Sequence, residues 1–394
     1  MLPAVEVMFW AAVAALVYGY IGYPLLVGMV GRILRREVRR AAVTPSITVV
    51  IAAHNEQAVI RERLENALAT DYPAGSMDIV VASDGSTDAT VAIAREYASR
   101  GVQVLDLPRQ GKIPALNAAV ARATVDLLVF SDANIHFHPQ VLRMLARNFA
   151  DPEVGGVAGN CGYRLPDAGE SSSRGEGLYW RYDLWLKRME CRTGSVVSAH
   201  GGLYALRREL YRPLTEPFVT DDFAISTAVI EQGRRLVFDQ DALASELAVA
   251  EARREFRRKV RLMTRAWRSV ALRRSLLNPA RFGFYSVVFF SHKVLRRLLP
   301  VALVLLLASS LVLALVAGDE FYRFAAVGQV GFYALAAVGG ITRRTRVGRV
   351  KVILIPFYFC MANGAALIAL GRFLSGQKIG IWDPQRQLAQ AEGA

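Results

Sequence analysis

The sequence predicts an α/β domain built on a mostly parallel sheet and held between α-helical transmembrane segments. Three observations point there. Four apolar runs are long enough to cross a bilayer, β-branched runs alternate with helical stretches between the first and the rest, and polar clusters directly follow three of those short runs. Of the 394 residues, 53% are hydrophobic and 21% charged, and mean hydropathy is +0.26. That balance excludes a disordered chain and suits a protein partly in lipid. Cys161, Cys191 and Cys360 form no CxxC pair and have no histidine at zinc-ligand spacing, which excludes a disulfide scaffold and a structural zinc site.

From the N terminus, residues 7–31 carry no charged side chain, enough for the ~20 residues that span a bilayer core. Arg32, Arg35, Arg36, Arg39 and Arg40 follow at once, so the helix ends on the cytoplasmic side. A cleaved signal peptide would carry its basic residues before the apolar run. The later runs are 298–318, 324–341 and 352–371. Between the first two lie Asp319, Glu320 and Arg323; between the last two, Arg343, Arg344, Arg346, Arg349 and Lys351. Positive-inside counting puts that second connection and the central domain in the cytoplasm, with both termini outside. Residues 282–290, followed by Arg296 and Arg297, read as an amphipathic segment on the membrane surface. The expected organisation is an anchor with basic flank at 1–40, a cytoplasmic domain at 41–281, an interfacial segment at 282–297, three spanning helices within 298–371 and a tail at 372–394. Lys and Arg number 48 against 34 acids, a net charge of +14. Topology signals and a membrane-facing surface account for this excess, so membrane lipids are expected as partners and nucleic acid is not.

In the central domain, residues 47–51, 79–82, 102–105 and 127–130 read as buried strands. Helical stretches are expected at 56–70, 89–99 and 114–123. In an open α/β sheet, ligands bind beyond the carboxyl ends of the strands. There the chain places His54-Asn55-Glu56, then Ser83-Asp84-Gly85-Ser86-Thr87-Asp88, then Ser131-Asp132-Ala133-Asn134. Each cluster alone reads equally as a helix cap or turn; three at one edge read as a site. Asp132 and Asn134, two residues apart, present oxygen ligands of the kind hard divalent ions take, with substrate phosphates completing the shell. Arg109-Gln110-Gly111-Lys112 adds a glycine turn and a cation, and Thr220-Asp221-Asp222 puts two acids at the start of a helical stretch, as dipole partners or as a general base.

In this order the motifs resemble the membrane-bound inverting glycosyltransferases of family 2, the group of cellulose, chitin and hyaluronan synthases and many exopolysaccharide transferases. The matching segments are 50–56, 83–88, 111–117, 131–134, 220–222 and 258–262. The resemblance implies a GT-A fold that is Rossmann-like, a nucleotide-diphospho-sugar donor, most often a UDP-sugar, and Mg2+ or Mn2+. By the same resemblance Ala53, Glu56 and Asp84 would hold the base and ribose, Lys112 the diphosphate, Asp132 and Asn134 the metal, and Asp222 would be the general base. Arg258 and Arg261 would face the donor pyrophosphate or anionic headgroups.

Three positions depart from the family pattern. Asn134 stands where the DxD pair has its second Asp, Asp221 where the TED triplet has Glu, and Arg258-Lys259-Val260-Arg261-Leu262 where QxxRW is usual. Without that tryptophan, processive synthesis and single-sugar addition both stay open. Trp267, Trp180 and His200 are candidates to line an acceptor site, alongside Asp221; core packing explains the aromatics equally well. The sequence thus points to a multi-pass protein of the inner (cytoplasmic) membrane that moves a sugar to a growing polysaccharide or a lipid-linked acceptor. A non-catalytic nucleotide-sugar-binding scaffold or sensor is the alternative. A transporter is disfavoured, since the helices lack internal symmetry and intramembrane ionisable groups.

Overall fold

A strand of apolar residues with no solvent face needs neighbours on both sides and cover above and below. β1 (Ile47–Ala53) is such a strand, buried at every position. It pairs in parallel with β2 (Met77–Asp84), which pairs in parallel with β3 (Val102–Leu107). On its other side lies β4 (Leu127–Asp132), also parallel. Both β2 and β4 run beyond their apolar cores and end on Asp84 and Asp132. The remaining strands are β5 (Ile135–Phe137), β6 (Val154–Arg164), β7 (Tyr204–Arg207) and β8 (Arg235–Leu247). The eight-stranded sheet has the order β3-β2-β1-β4-β7-β6-β8-β5.

The sheet is mostly parallel, as expected, with four of its seven described pairings parallel, and its second half is mixed. β7 is antiparallel to both β4 and β6, and β5 is antiparallel to β8, while β6 and β8 are parallel with two register shifts. β7 has only four residues, too few for a sequence pattern to declare its direction.

The computed structural model describes residues 2–164, 173–247, 252–342, 345, 348 and 350–378, with side chains left out at 163–164, 173–180, 247 and 252–255. Helices Ile60–Leu68, Thr90–Arg95 and Lys112–Arg122 connect the first four strands. On the first of these Ile60, Arg63, Leu64 and Ala67 are buried, the stripe that spacing of three and four produces, and it packs into the core with Ile47, Val49, Ile51 and Leu127.

The chain forms two compact units. The sheet unit takes in, among described residues, 27–247 and 271–286. Within it residues 27–34, the end of the first apolar helix, lie close on helix Ser173–Thr193. A Cβ added to Gly28 would lie 3.0 Å from the Trp185 ring, and one on Gly31 would lie 2.7 Å from the Met189 carbonyl oxygen. The segment after that helix is stitched down as well: Arg36 N–H donates to Arg192 O at 3.0 Å, and Arg235 donates to Arg36 O at 2.8 Å. Arg147 grips the fully buried Asp239 through two hydrogen bonds of 2.9 and 2.8 Å.

The other unit takes in, among described residues, 2–26, 252–270 and 287–378. Among the described residues four helices are long and apolar enough to cross a membrane: Leu2–Leu34, Phe284–Val316, Glu320–Thr342 and Lys351–Leu374. Phe9 packs with Leu313 and Tyr322, and the Tyr322 hydroxyl donates to Glu6 Oε1 at 2.9 Å. The stretch expected on the membrane surface differs: from Phe284 the chain runs without a break into the helix that ends at Val316, through a π-helical stretch at Phe290–Leu295. The break comes before it, at Gly283, whose φ is +55°. The basic amphipathic helix is instead Ala252–Leu272. Of the second connection's basic cluster, Arg343, Arg344, Arg346 and Arg349 lie outside the described residues, as does most of the tail.

Candidate active site

The parallel strands bring the motif residues to one edge. Asp84, closing β2, is 1% exposed. Its Oδ1 accepts from the backbone N–H groups of Gln110 and Gly111 at 2.7 and 2.8 Å, and its Oδ2 from Arg109 Nη1 at 2.7 Å. Gly85 permits that approach: its φ is +62°, and a Cβ there would meet the Arg109 backbone nitrogen at 2.8 Å. Both carboxylate oxygens of Asp84 are therefore committed to shaping loop 109–111. That loop aims Lys112, the first residue of helix Lys112–Arg122, with Gly111 before it at φ +104°.

Lys112 Nζ lies 2.7 Å from Asp132 Oδ1 and 2.8 Å from Asp221 Oδ2. Burial opposes its charge, but the combined pull of Asp132 and Asp221 wins and holds its pKa above the ordinary lysine range. Asp221 and Asp222 open helix Asp221–Glu231, where the unsatisfied N–H groups favour negative charge. A Cβ added to Gly201 would lie 3.5 Å from Asp222 Oδ2 and 3.9 Å from Asp132 Oδ2. The glycine keeps open the ground between two carboxylates, and the exposed His200 stands at its edge.

The other early motifs cap and shape. Ala53 ends β1 in register with Ser83. His54 Nδ1 is 2.7 Å from Asp84 O, and Asn55, at φ +54°, accepts from Thr87 N–H at 2.7 Å. Glu56 is buried, its N–H donating to Thr90 Oγ1 at 2.8 Å. The cap reading and the site reading of these clusters are thus one: the caps tie the two loops that border the site. Asn134 donates through Nδ2 to Glu246 Oε1 on β8 at 2.8 Å.

Tyr204 on β7 was missed in the sequence. Its ring stacks on Phe130 with centroids 4.8 Å apart, and its hydroxyl is buried with no hydrogen-bond partner. Burial, with Asp221, Asp222 and Asp132 near it, raises its pKa well above the usual value. Nothing in the run Tyr204–Arg207 marks it as facing carboxylates.

Residues 48–215 match the model of the family described as glycosyl transferase family 2. That stretch is a family 2 glycosyltransferase domain. The chain is 27% identical over 193 residues to a beta-monoglucosyldiacylglycerol synthase of Synechocystis, covering 46% of this chain and 40% of that protein. It is 25% identical over 254 residues to a poly-beta-1,6-N-acetyl-D-glucosamine synthase of Staphylococcus aureus, covering 62% and 60%. The chain thus spans about half the length of these curated relatives. A solved mannosyltransferase from Pyrobaculum calidifontis, in complex with GDP-Man and Mn2+, superposes with a TM-score of 0.69 at 21% identity over 96% of this chain and 100% of that one. That likeness shows the fold, which is GT-A.

Asp84, Lys112, Asp132 and His200 lie within the matched residues, Asp221 and Asp222 just beyond them, and all six come to one edge of the sheet. Arg258, Arg261 and Trp267 lie on helix Ala252–Leu272, in the other compact unit. Trp267 is not an open stacking surface: it is 6% exposed and its ring stacks on Phe373 at 5.8 Å, because that face of an amphipathic helix is the one that packs. Trp180 lies on helix Ser173–Thr193, and its side chain is outside the described residues.

The donor set of this family 2 domain fits a divalent cation that shares its shell with phosphate. Among the described residues no three His, Cys, Asp or Glu side chains cluster to cage a metal. The edge offers instead a carboxylate about one-third exposed, Asp132, which already draws a cation in Lys112 Nζ. With its nitrogen donating to Glu246, Asn134 would offer Oδ1 as a ligand atom. One or two protein oxygens completed by substrate phosphates is the arrangement Mg2+ commonly accepts.

Proposed function

We propose that the protein is a membrane-bound, metal-dependent inverting glycosyltransferase. Its donor is a nucleotide-diphospho-sugar, with UDP-sugars first to be tested and GDP-mannose beside them. Its acceptor is a hydroxyl of a lipid-linked sugar, a lipid or a growing polysaccharide at the cytoplasmic face of the inner membrane. One observation carries this reading: Asp132, Lys112, Asp221 and Asp222 converge from three separate elements beside Gly201.

In this reading Asp222 accepts the proton of the acceptor hydroxyl as it attacks the anomeric carbon from the face opposite the leaving diphosphate. Lys112, protonated throughout the physiological range, turns from its carboxylates to the diphosphate. Asp132 and Asn134 would hold Mg2+ or Mn2+, which when bound supplies Lewis-acid compensation of the charge developing on the leaving group. Asp84 acts through loop 109–111, with Ala53 and Glu56 bordering the base side. The two curated relatives are named for a glucosyl lipid and for a polymer, so both acceptor classes belong in the test. Purified protein in lipid is incubated with Mn2+ or Mg2+, a panel of nucleotide sugars and membrane lipid extract, and products are read by mass spectrometry. A single hexose or N-acetylhexosamine shift on a lipid makes it a lipid glycosyltransferase, and a ladder makes it a synthase. No transfer with any donor, despite nucleotide binding, favours the scaffold or sensor reading.

A further inference from the structure

The turn that carries Asp132 and Asn134 is short, and one flank of it is open. Ala133, Ile135 and Phe137 are buried in the core and β5 pairs with β8, while along the other flank runs a cleft lined in part by Val59, Glu62, Asn134, His136 and Ser245 and by Arg63 itself. Two side chains from helix Ile60–Leu68 hold the turn on that flank. Arg63, 2% exposed, donates through Nη2 to Ser131 Oγ at 3.1 Å, and Ser131 is the residue immediately before Asp132. The same guanidinium lies over the Phe137 ring, 3.9 Å from its centroid, and donates through Nη1 to Asn66 Oδ1 at 3.4 Å. Asn66, one helical turn on, takes the Phe137 N–H at 2.7 Å and gives to the Phe137 carbonyl at 2.9 Å. The turn is therefore gripped just before Asp132 and again at the end of β5.

The charge on Arg63 is a second observation. No carboxylate among the described residues comes within 4 Å of it, and its Nε is buried without a hydrogen-bond partner. A buried cation without a paired acid costs stability that an apolar residue in the same stripe would avoid. Burial works against its charge, and Asp132 is the acid whose field favours it. Among the described residues its hydrogen bonds go to Ser131 and to Asn66, the other half of the grip. A side chain serving the core alone has no use for that charge at this place.

We propose that Arg63 and Asn66 are positioning residues which clamp the Ser131–Phe137 turn and so set the aim of Asp132. This rests on the reading of Asp132 as the metal and diphosphate ligand. Residues behind metal ligands tune affinity by roughly 10–100-fold when removed.

The test compares wild type with Arg63→Met, Arg63→Lys and Asn66→Ala in the full-length protein in lipid. Two readouts are used: hydrogen exchange of the peptides covering 127–137 without metal, and Mn2+ affinity with UDP or GDP by electron paramagnetic resonance. Arg63→Met is expected to exchange faster across 131–137 with the rest of the sheet unchanged, and to bind Mn2+ about 10-fold more weakly. Arg63→Lys should recover part of both, and Asn66→Ala should loosen residues 135–137 most. Unchanged exchange in both Arg63→Met and Asn66→Ala overturns the clamp, as does loosened exchange with unaltered Mn2+ affinity. If Arg63→Met does not fold, Ser131→Ala replaces it, removing the hydrogen bond while leaving the buried charge; full retention of Mn2+ affinity and protection there overturns the proposal. Wild-type protein that takes no Mn2+ with either nucleotide defeats the reading of the site, and the exchange data then decide the clamp by themselves.

Discussion

The two aspartates that end β2 and β4 stand at the same edge, in similar sequence surroundings, and meet opposite fates. Asp84 is sealed by three donors from its own half of the sheet. Asp132 is part-exposed, and its partner Lys112 also leans on Asp221, which belongs with the half built around β7, β6 and β8. In the interior of the parallel half, motif residues build loops. The proposed chemistry lies at the seam where β4 meets the antiparallel β7, one strand from β1, beside which the order of the parallel strands reverses.

Substitutions on either side of that seam sharpen or break this contrast. The largest effect is expected for Asp222→Asn, where transfer should fall by about 10²–10⁴-fold with donor binding retained, read by product formation and nucleotide titration. Near-normal transfer would remove the seam as the place of proton transfer. Asp132→Ala should weaken Mn2+-dependent nucleotide binding by roughly 10–100-fold while the unfolding midpoint barely moves. Asp84→Ala should do the reverse. Leaving Arg109 and two backbone N–H groups without their acceptor should cost about 2–3 kcal/mol in denaturant unfolding.

A pH titration adds a finer check. The folded-state pKa of Lys112 is raised above its ordinary 10.5, so its contribution to stability is whole below that pH and fades only as the pH climbs through the raised value. Between about pH 6 and 9, neither stability nor donor binding should show a step owed to this lysine. The smallest effect belongs to Tyr204→Phe. Removing a buried hydroxyl that has no partner should leave stability within about 1 kcal/mol of wild type or raise it slightly. A fall in transfer without a fall in stability would assign that hydroxyl to the bound state.

Much of the parallel half was legible from sequence because β-branched runs ending in polar clusters give both strand and edge. The polar clusters holding Asp84 and Asp132 located the edge, and the family resemblance assigned Asp84 to the nucleotide; no sequence pattern signalled its bonds to the neighbouring loop. Its saturation by Arg109 and the loop amides depends on a backbone path, through Gly85 and Gly111, that composition does not encode. β7 and Tyr204 were illegible for a related reason: four residues carry no periodicity, and a tyrosine in an apolar run gives no sign of three carboxylates near it. The continuous helix from Phe284 escaped because aromatic residues suit an interface and a membrane core alike.

Gly28 and Gly31 set a practical limit on how this protein can be divided. The sheet unit takes in the C-terminal end of the first apolar helix, with Gly31 lying against the Met189 carbonyl and Gly28 against the Trp185 ring. A water-soluble fragment begun at residue 41 would bare that indole and forfeit the backbone bonds made by residues 36–39. For preparing the sheet unit alone, the useful cut lies inside the first apolar helix near residue 27, and the fragment should be handled in detergent from the start.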